Sequence, residues 1–210
     1  LPILLVSFAD STVRFRPADF EFGLFDSTRA TATGSVYDYY QWVPRGRPTV
    51  PGTVVGVVRP PHGRDYYGGN RNALDRNGTP GNALGLTRDA LDQLALQGTP
   101  VDWSEFDLDH DGTVDMLWVV HAGVGGEASH DVNDPWSYTS RMGSGWRDPA
   151  VYITSQFVPG SQTQHMRLDR FTILPELSSV VPFSRSEIGV YCHEFGHALG
   201  LPDLYDTSGL

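Results

Sequence analysis

Lysine is missing altogether: all 15 basic residues are arginine, set against 25 acidic ones for a net charge of −10. No basic run or stripe exists, so a nucleic-acid partner is not expected, because phosphate binding needs clustered positive charge. The absence of lysine has no functional account of its own. Cysteine is nearly absent too. The single Cys192 cannot form an internal disulfide, which removes one staple without fixing the redox compartment. No stretch reaches the roughly 18 consecutive apolar residues that cross a bilayer, so no membrane span is expected. The apolar opening, residues 1–6, is short, lacks a charged leader and is expected to be a strand rather than a signal peptide. The chain begins without Met and stops seven residues after Asp203, so it is expected to be a fragment. Hydrophobic residues make up 40% and charged residues only 19%, a balance that argues against disorder and suits one globular domain over residues 1–210.

What is present divides into strands, glycine-rich loops and one clear helix. Residues 2–9 are expected to form a buried strand. Ser35 is expected to cap an aromatic-rich helix that Pro44 and Gly46 close, and residues 49–58, rich in β-branched side chains, a strand bent at Pro51-Gly52. Residues 59–86 have no periodicity and are expected to be loop. Thr87 is expected to cap a short helix with Leu91, Leu94 and Ala95 inward. Residues 114–121 (VDMLWVVH) are the strongest central strand. A second loop follows over residues 123–145, then strands at 150–157 and 166–174. Ser184 or Ser186 is expected to cap a last helix ending near Leu199, with Gly200 as its left-handed stop. The succession suggests an α/β layer structure.

The last helix carries His193-Glu194-Phe195-Gly196-His197. Histidines four apart share one helical face, so both imidazoles can reach one ion, and Glu194 projects beside them. Ile188, Cys192, Phe195 and Leu199 form a core-facing stripe that leaves the histidines free to line a cleft. Gly189 and Gly196 each cost about 0.8–1.0 kcal/mol inside a helix, and close approach of another chain segment would explain them. The alternative is an ordinary helix with coincidental histidines. Against it, Gly200 can reverse the chain and bring Asp203 back toward the ion, where metzincins place a third histidine. Carboxylate serves zinc equally well. His193, His197 and Asp203 would leave a fourth position for water, whose pKa zinc lowers toward about 7, with Glu194 as general base.

Asp107-Leu108-Asp109-His110-Asp111-Gly112-Thr113-Val114-Asp115 places carboxylates at alternate positions around a turn. Asp107, Asp109, Asp111 and Asp115 with the Thr113 carbonyl fit a calcium loop, although position 12 is Trp118 and not the usual glutamate. Four aspartates in nine residues repel one another unless a cation neutralises them. The alternative is a solvated acidic turn. Other candidates carry less. His121 ends the central strand and suits a core histidine; His62, His110, His130 and His165 receive no role. Tyr205 could stabilise an oxyanion or simply pack. Cys192 suits a buried apolar role. Glu127 could serve a second calcium site or be a solvated loop charge. Asn77-Gly78-Thr79 fits a glycosylation acceptor.

Several stretches, in order, resemble the immune inhibitor A type metalloproteases: SVYDYYQWV, TVPGTVVG, DLDHDGTVDMLWVVHAG, PWSYTS and IGVYCHEFGHALGLPDLYD. The resemblance runs from about Leu1 to Tyr205. It implies a secreted zinc endopeptidase of zincin-like fold, with a mixed twisted sheet and an active-site helix, made with a signal and usually a propeptide. It assigns zinc to His193, His197 and Asp203 and general-base catalysis to Glu194. The chain ends just past the motif, so the C-terminal subdomain, including any Met-turn, is expected to be truncated. Protein or peptide substrates are the expected partners, docking at a sheet edge. The alternative from another class is a calcium-stabilised extracellular binding module with a vestigial zinc site; a closed structural zinc site would need a fourth ligand.

Overall fold

A computed structural model describes residues 1–31, 33–42, 51–74, 82–144, 151–180 and 183–203. In chain order its elements are β1 (Pro2–Val6), α1 (Pro17–Phe25), α2 (Val36–Trp42), β2 (Thr53–Val58), α3 (Arg64–Gly68), α4 (Ala83–Gln97), β3 (Thr113–Val114), β4 (Leu117–Val124), α5 (Gly126–Ser129), β5 (Tyr138–Arg141), β6 (Tyr152–Phe157), β7 (His165–Leu168), β8 (Arg170–Val180), β9 (Phe183–Arg185) and α6 (Ile188–Ala198).

The main sheet runs β2-β1-β4-β8-β5, with β9 paired to β8. β2, β1, β4 and β8 are parallel, while β5 and β9 run antiparallel to β8. A smaller sheet runs β3-β7-β6. Parallel strands must be covered on both faces, and the alternation along β1 and β4 does this. Leu4, Val6, Leu117 and Val119 pack with Leu86, Leu91 and Leu94 of α4 and with Met166 and Leu168 of the small sheet. Their neighbours Ile3, Leu5, Trp118 and Val120 pack on the opposite face with α1, α2 and α6, through Phe20, Leu24, Val36, Tyr40, Tyr191 and Phe195. The chain is thus a mixed α/β structure.

One cross-strand row on that second face runs Val54, Ile3, Trp118, Thr172 and Thr139 over five strands. It begins aliphatic and ends with two hydroxyls, at the border beside α6.

Several expectations are corrected. Ser35 does cap α2: its hydroxyl accepts from the Asp38 N–H at 3.0 Å while Asp38 accepts from the Ser35 N–H at 3.2 Å, a reciprocal box. Thr87 is not a cap. It lies buried inside α4, donating to the Ala83 carbonyl at 2.8 Å, and Asn82 caps that helix by accepting from the Gly85 N–H. Ala95 is exposed. Neither Ser184 nor Ser186 caps α6. Ser184 belongs to β9, the Ser186 N–H donates to the Glu176 carbonyl, and Glu187 stands at the N-cap. The two long loops contain α3 in the first and α5 and β5 in the second. The strand expected at 166–174 is two strands, because the chain passes from the small sheet to the main one at Asp169. Asn77, Gly78, Thr79 and Tyr205 lie outside the described residues.

Candidate metal centre and active-site cleft

Helix α6 lies against the main sheet through Tyr191, Cys192 and Phe195, all buried. The Phe195 ring meets Trp118 at 6.0 Å and Tyr40 at 5.0 Å, and the Tyr40 hydroxyl donates to the Cys192 carbonyl at 2.7 Å. These contacts fix the helix about its axis and turn His193 and His197, both partly exposed, toward the cleft. Leu199, expected in the core stripe, is half exposed; Tyr191 is the stripe member that the sequence reading missed. The two helix glycines are not pressed by another segment: among the described residues, a Cβ at Gly189 would meet nothing within 4 Å, and one at Gly196 would make only ordinary contact with Leu201 and the Tyr40 hydroxyl at 3.6 Å. They border a hollow of about 460 Å³ with Tyr39, Cys192, His193 and Leu201.

The helix stops in a Schellman turn. Gly200 takes a φ of +88°, a conformation that glycine enters without strain. The Gly200 N–H then donates to the His197 carbonyl at 2.9 Å and the Leu201 N–H to the Gly196 carbonyl at 3.0 Å. This turn does two things for the site. It reverses the chain so that Asp203 faces the histidines, and it sets the Leu201 carbonyl 2.9 Å from His197 Nδ1. A carbonyl can only accept, so Nδ1 carries the hydrogen and Nε2 is left with its lone pair toward the cleft.

His193 Nε2 and His197 Nε2 are 3.2 Å apart, and Asp203 Oδ1 lies 3.3 Å from the first and 3.2 Å from the second. Donor atoms each about 2.0–2.1 Å from one tetrahedral zinc are spaced by about 3.3 Å. The three side chains therefore fit such an ion without rearrangement, and all three line the cleft.

Glu194 is buried, 5% exposed. Burial raises its carboxyl above the usual range, opposed by the Thr139 hydroxyl and by the two histidines. Thr139 Oγ1 lies 2.8 Å from Glu194 Oε2, 3.0 Å from the Glu194 carbonyl and 3.0 Å from Thr172 Oγ1. Sequence reading gave no role to either threonine. The cleft itself, of about 770 Å³, is lined by Trp136, Tyr138, Thr139, Glu194 and the three ligand candidates, with Glu127 at its rim. Glu127 accepts from the Ser137 N–H and hydroxyl, at 3.1 and 2.5 Å, and so anchors the approach to β5.

His121 is fully buried on the α4 side of the sheet, its Nδ1 3.1 Å from the Ala122 carbonyl, and burial lowers its pKa. It faces away from the cleft. Burial pushes the Cys192 thiol up to about 12, in keeping with an apolar role.

In the acidic loop, Asp107, Asp109 and Asp111 bring one carboxylate oxygen each within 4.8 Å of one another. Asp115 falls outside this group and accepts from the Leu108 N–H at 3.1 Å. Asp107 accepts from the Asp111 and Gly112 N–H groups at 3.0 and 2.9 Å, and Asp111 from the Thr113 N–H at 2.7 Å. Burial raises the Asp115 carboxyl, and the three neighbouring aspartates raise it further.

Two histidines and a carboxylate facing one open corner, with a buried glutamate beside them, are the constellation of a metal-dependent hydrolase. The family described as immune inhibitor A peptidase M6, catalytic domain, matches residues 15–210, and the chain belongs to that family. It is 30% identical over 215 residues to "Pre-pro-metalloprotease PrtV" of Vibrio cholerae serotype O1, covering 92% of this chain and 22% of that protein. It is 33% identical over 183 residues to "Immune inhibitor A" of Bacillus thuringiensis subsp. alesti, covering 80% of this chain and 25% of that protein. The chain thus spans about a quarter or less of the relatives it matches.

Proposed function

We propose that residues 1–210 are the catalytic domain, zincin-like in fold, of a secreted zinc-dependent endopeptidase. The observation that carries this reading is the donor triangle of His193, His197 and Asp203, with sides of 3.2–3.3 Å, opening onto the cleft that holds Glu194. Secretion rests on the resemblance to immune inhibitor A proteases. No described helix is long and apolar enough to cross a membrane.

Zinc held by His193, His197 and Asp203 would supply Lewis acidity toward the scissile carbonyl and would acidify water. Glu194 takes the proton of the attacking water at its carboxylate and returns it to the leaving amine nitrogen. The Schellman turn at Gly200 keeps His197 in the tautomer that offers Nε2, so one main-chain reversal serves both ligand placement and ligand electronics. Strand β5 has one partner, β8, among the described strands, and its residues line the cleft. An extended substrate adds to its open border by main-chain hydrogen bonds, with Trp136 and Tyr138 against substrate side chains. Asp107, Asp109 and Asp111, with the Thr113 carbonyl, would hold calcium in the loop that leads into β3, and Asp115 orients that loop through the Leu108 N–H. A binding module with a vestigial zinc site has no use for a buried glutamate beside the ion, and burying that carboxylate is costly.

The test is hydrolysis of casein by the full chain with and without a zinc chelator, beside Glu194→Gln. Chelator-sensitive hydrolysis that falls about 10²–10⁴-fold in the variant, with one zinc still bound per chain, is the expected result. Undiminished hydrolysis in Glu194→Gln would sink the mechanism.

A further inference from the structure

Thr139 Oγ1 has one hydrogen and three oxygen neighbours: Glu194 Oε2 at 2.8 Å, the Glu194 carbonyl at 3.0 Å and Thr172 Oγ1 at 3.0 Å. Neither a carboxylate nor a carbonyl can donate. The Thr139 hydrogen therefore goes to Glu194, and the Thr139 lone pair is free to accept from Thr172. Thr172 is fully buried, and its only other hydrogen-bond neighbour among the described residues is Met116 Sδ at 3.4 Å, a weak acceptor. Its hydrogen goes to Thr139. The direction of the chain, Thr172 to Thr139 to Glu194, thus follows from which atoms hold hydrogens.

The placement of the two residues makes this a fixed support. They are register partners on β8 and β5, at the end of the cross-strand row that starts at Val54. Each side chain is β-branched and held stiffly at χ1 on a strand. Glu194, by contrast, has a long flexible side chain on a helix, whose carboxylate has several rotamers open to it. Because Thr139 touches both the carbonyl and the carboxylate of Glu194, it fixes the one end relative to the other.

We propose that Thr139 is the positioning residue for the Glu194 carboxylate, with Thr172 as the donor that orients its hydroxyl; this rests on Glu194 acting as general base. The Thr139 hydroxyl is turned to Glu194, and not to substrate or metal, in this scheme. It acts through Glu194, so its loss lowers turnover and leaves zinc and substrate affinity in place.

The test uses the full chain with a peptide substrate and three variants. Thr139→Val keeps the shape and removes the hydroxyl; Thr139→Ser keeps the hydroxyl; Thr172→Val removes the second donor. Thr139→Val is expected to lower kcat about ten- to a hundred-fold, the worth of a hydrogen bond to a charged group, with KM and zinc per chain unchanged. Thr139→Ser restores most of that loss, and Thr172→Val has a smaller effect in the same direction. A crystal structure of Thr139→Val is expected to show the Glu194 carboxylate displaced, a readout independent of turnover. Parental kcat in Thr139→Val, a loss confined to KM, or a Thr139→Ser variant as impaired as Thr139→Val would each overturn the assignment. Should Thr139→Val fail to fold, Thr172→Val decides: unchanged kcat with Glu194 unmoved overturns it. Activity that survives Glu194→Gln removes the general-base reading itself, whereas activity lost there and intact in Thr139→Val removes only the positioning role.

Discussion

The donor triangle on α6 and the acidic loop before β4 are both clusters of electron-rich atoms, yet they are supported differently. In the loop each carboxylate leans on main-chain N–H groups: Asp107 on those of Asp111 and Gly112, Asp111 on that of Thr113, and Asp115 on that of Leu108. Such donors relieve part of the repulsion whether or not a cation is present. At the triangle, the Nδ1 of His197 is taken by the Leu201 carbonyl, and what faces the centre is lone pairs from His197 and a carboxylate oxygen from Asp203. Much of the preorganisation there comes from packing, through Tyr40, Trp118 and Phe195. On the proposed reading, a loop that satisfies itself gains from a cation by degrees, whereas the triangle depends on one.

This difference is open to breakage at several points. The largest effect is expected from Asp203→Ala, which removes one side of the triangle. Substitutions in the shell behind metal ligands already cost about 10–100-fold in affinity, so loss of a ligand should weaken zinc retention by more than that, measured by competition with a chelator of known affinity. Full metal content in the variant would take Asp203 out of the site. A smaller effect is expected from Asp109→Ala. Melting in excess calcium should fall relative to the parent, while melting in a chelator of calcium should match it. If calcium gives the parent no rise in melting temperature, the loop is an acidic turn alone.

The smallest effect concerns a third carboxylate, held by N–H donors and buried outright. Glu176 accepts from the Arg14 and Phe15 N–H groups at 2.6 and 2.8 Å, and burial raises its carboxyl above the ordinary value of 4.5. A raised folded-state value means that the native state binds its proton more tightly than the unfolded chain does. Its contribution is therefore fully present below 4.5 and declines as pH rises through the raised value. Glu176→Gln should flatten the denaturation midpoint against pH in that window; an unchanged slope would show that the carboxylate is not desolvated as its burial implies.

The helix carrying the site was legible because its chemistry is local. His193, Glu194, His197, Gly200 and Asp203 lie within eleven residues, and helical period with a glycine stop is enough to bring them together. The acidic loop was legible for the same reason, although Asp115 falls outside the group formed by the other three carboxylates. Thr139 could not be read this way. Its target lies 55 residues further on, its partner Thr172 meets it only through antiparallel pairing of β5 with β8, and a hydroxyl on a strand carries no pattern of its own. The short strand β5 was hidden inside a glycine-rich stretch. Helix α1 was missed because it has aromatics on both faces: Phe20 is buried while Phe22 is half exposed, which blurs the 3.6-residue period. The caps of α4 and α6 were misplaced for a further reason. Serine and threonine near a helix start suit strand and helix-interior positions equally well once a local partner exists, as the Ala83 carbonyl one turn back gives Thr87 and Ser178 on the paired strand gives Ser184.

Strand β5 is only four residues long, and it forms the outer border of the main sheet while carrying Thr139. On the proposed reading, the surface that feels the substrate and the brace that aims the base are the same short segment, so docking and chemistry share one mechanical part. A target must offer a stretch that can lie straight along that border. Compact globular proteins seldom have one to spare, whereas loosened loops, linkers and unfolded chains do. On that same reading, selectivity at this level would come from the conformational state of the target more than from its side chains.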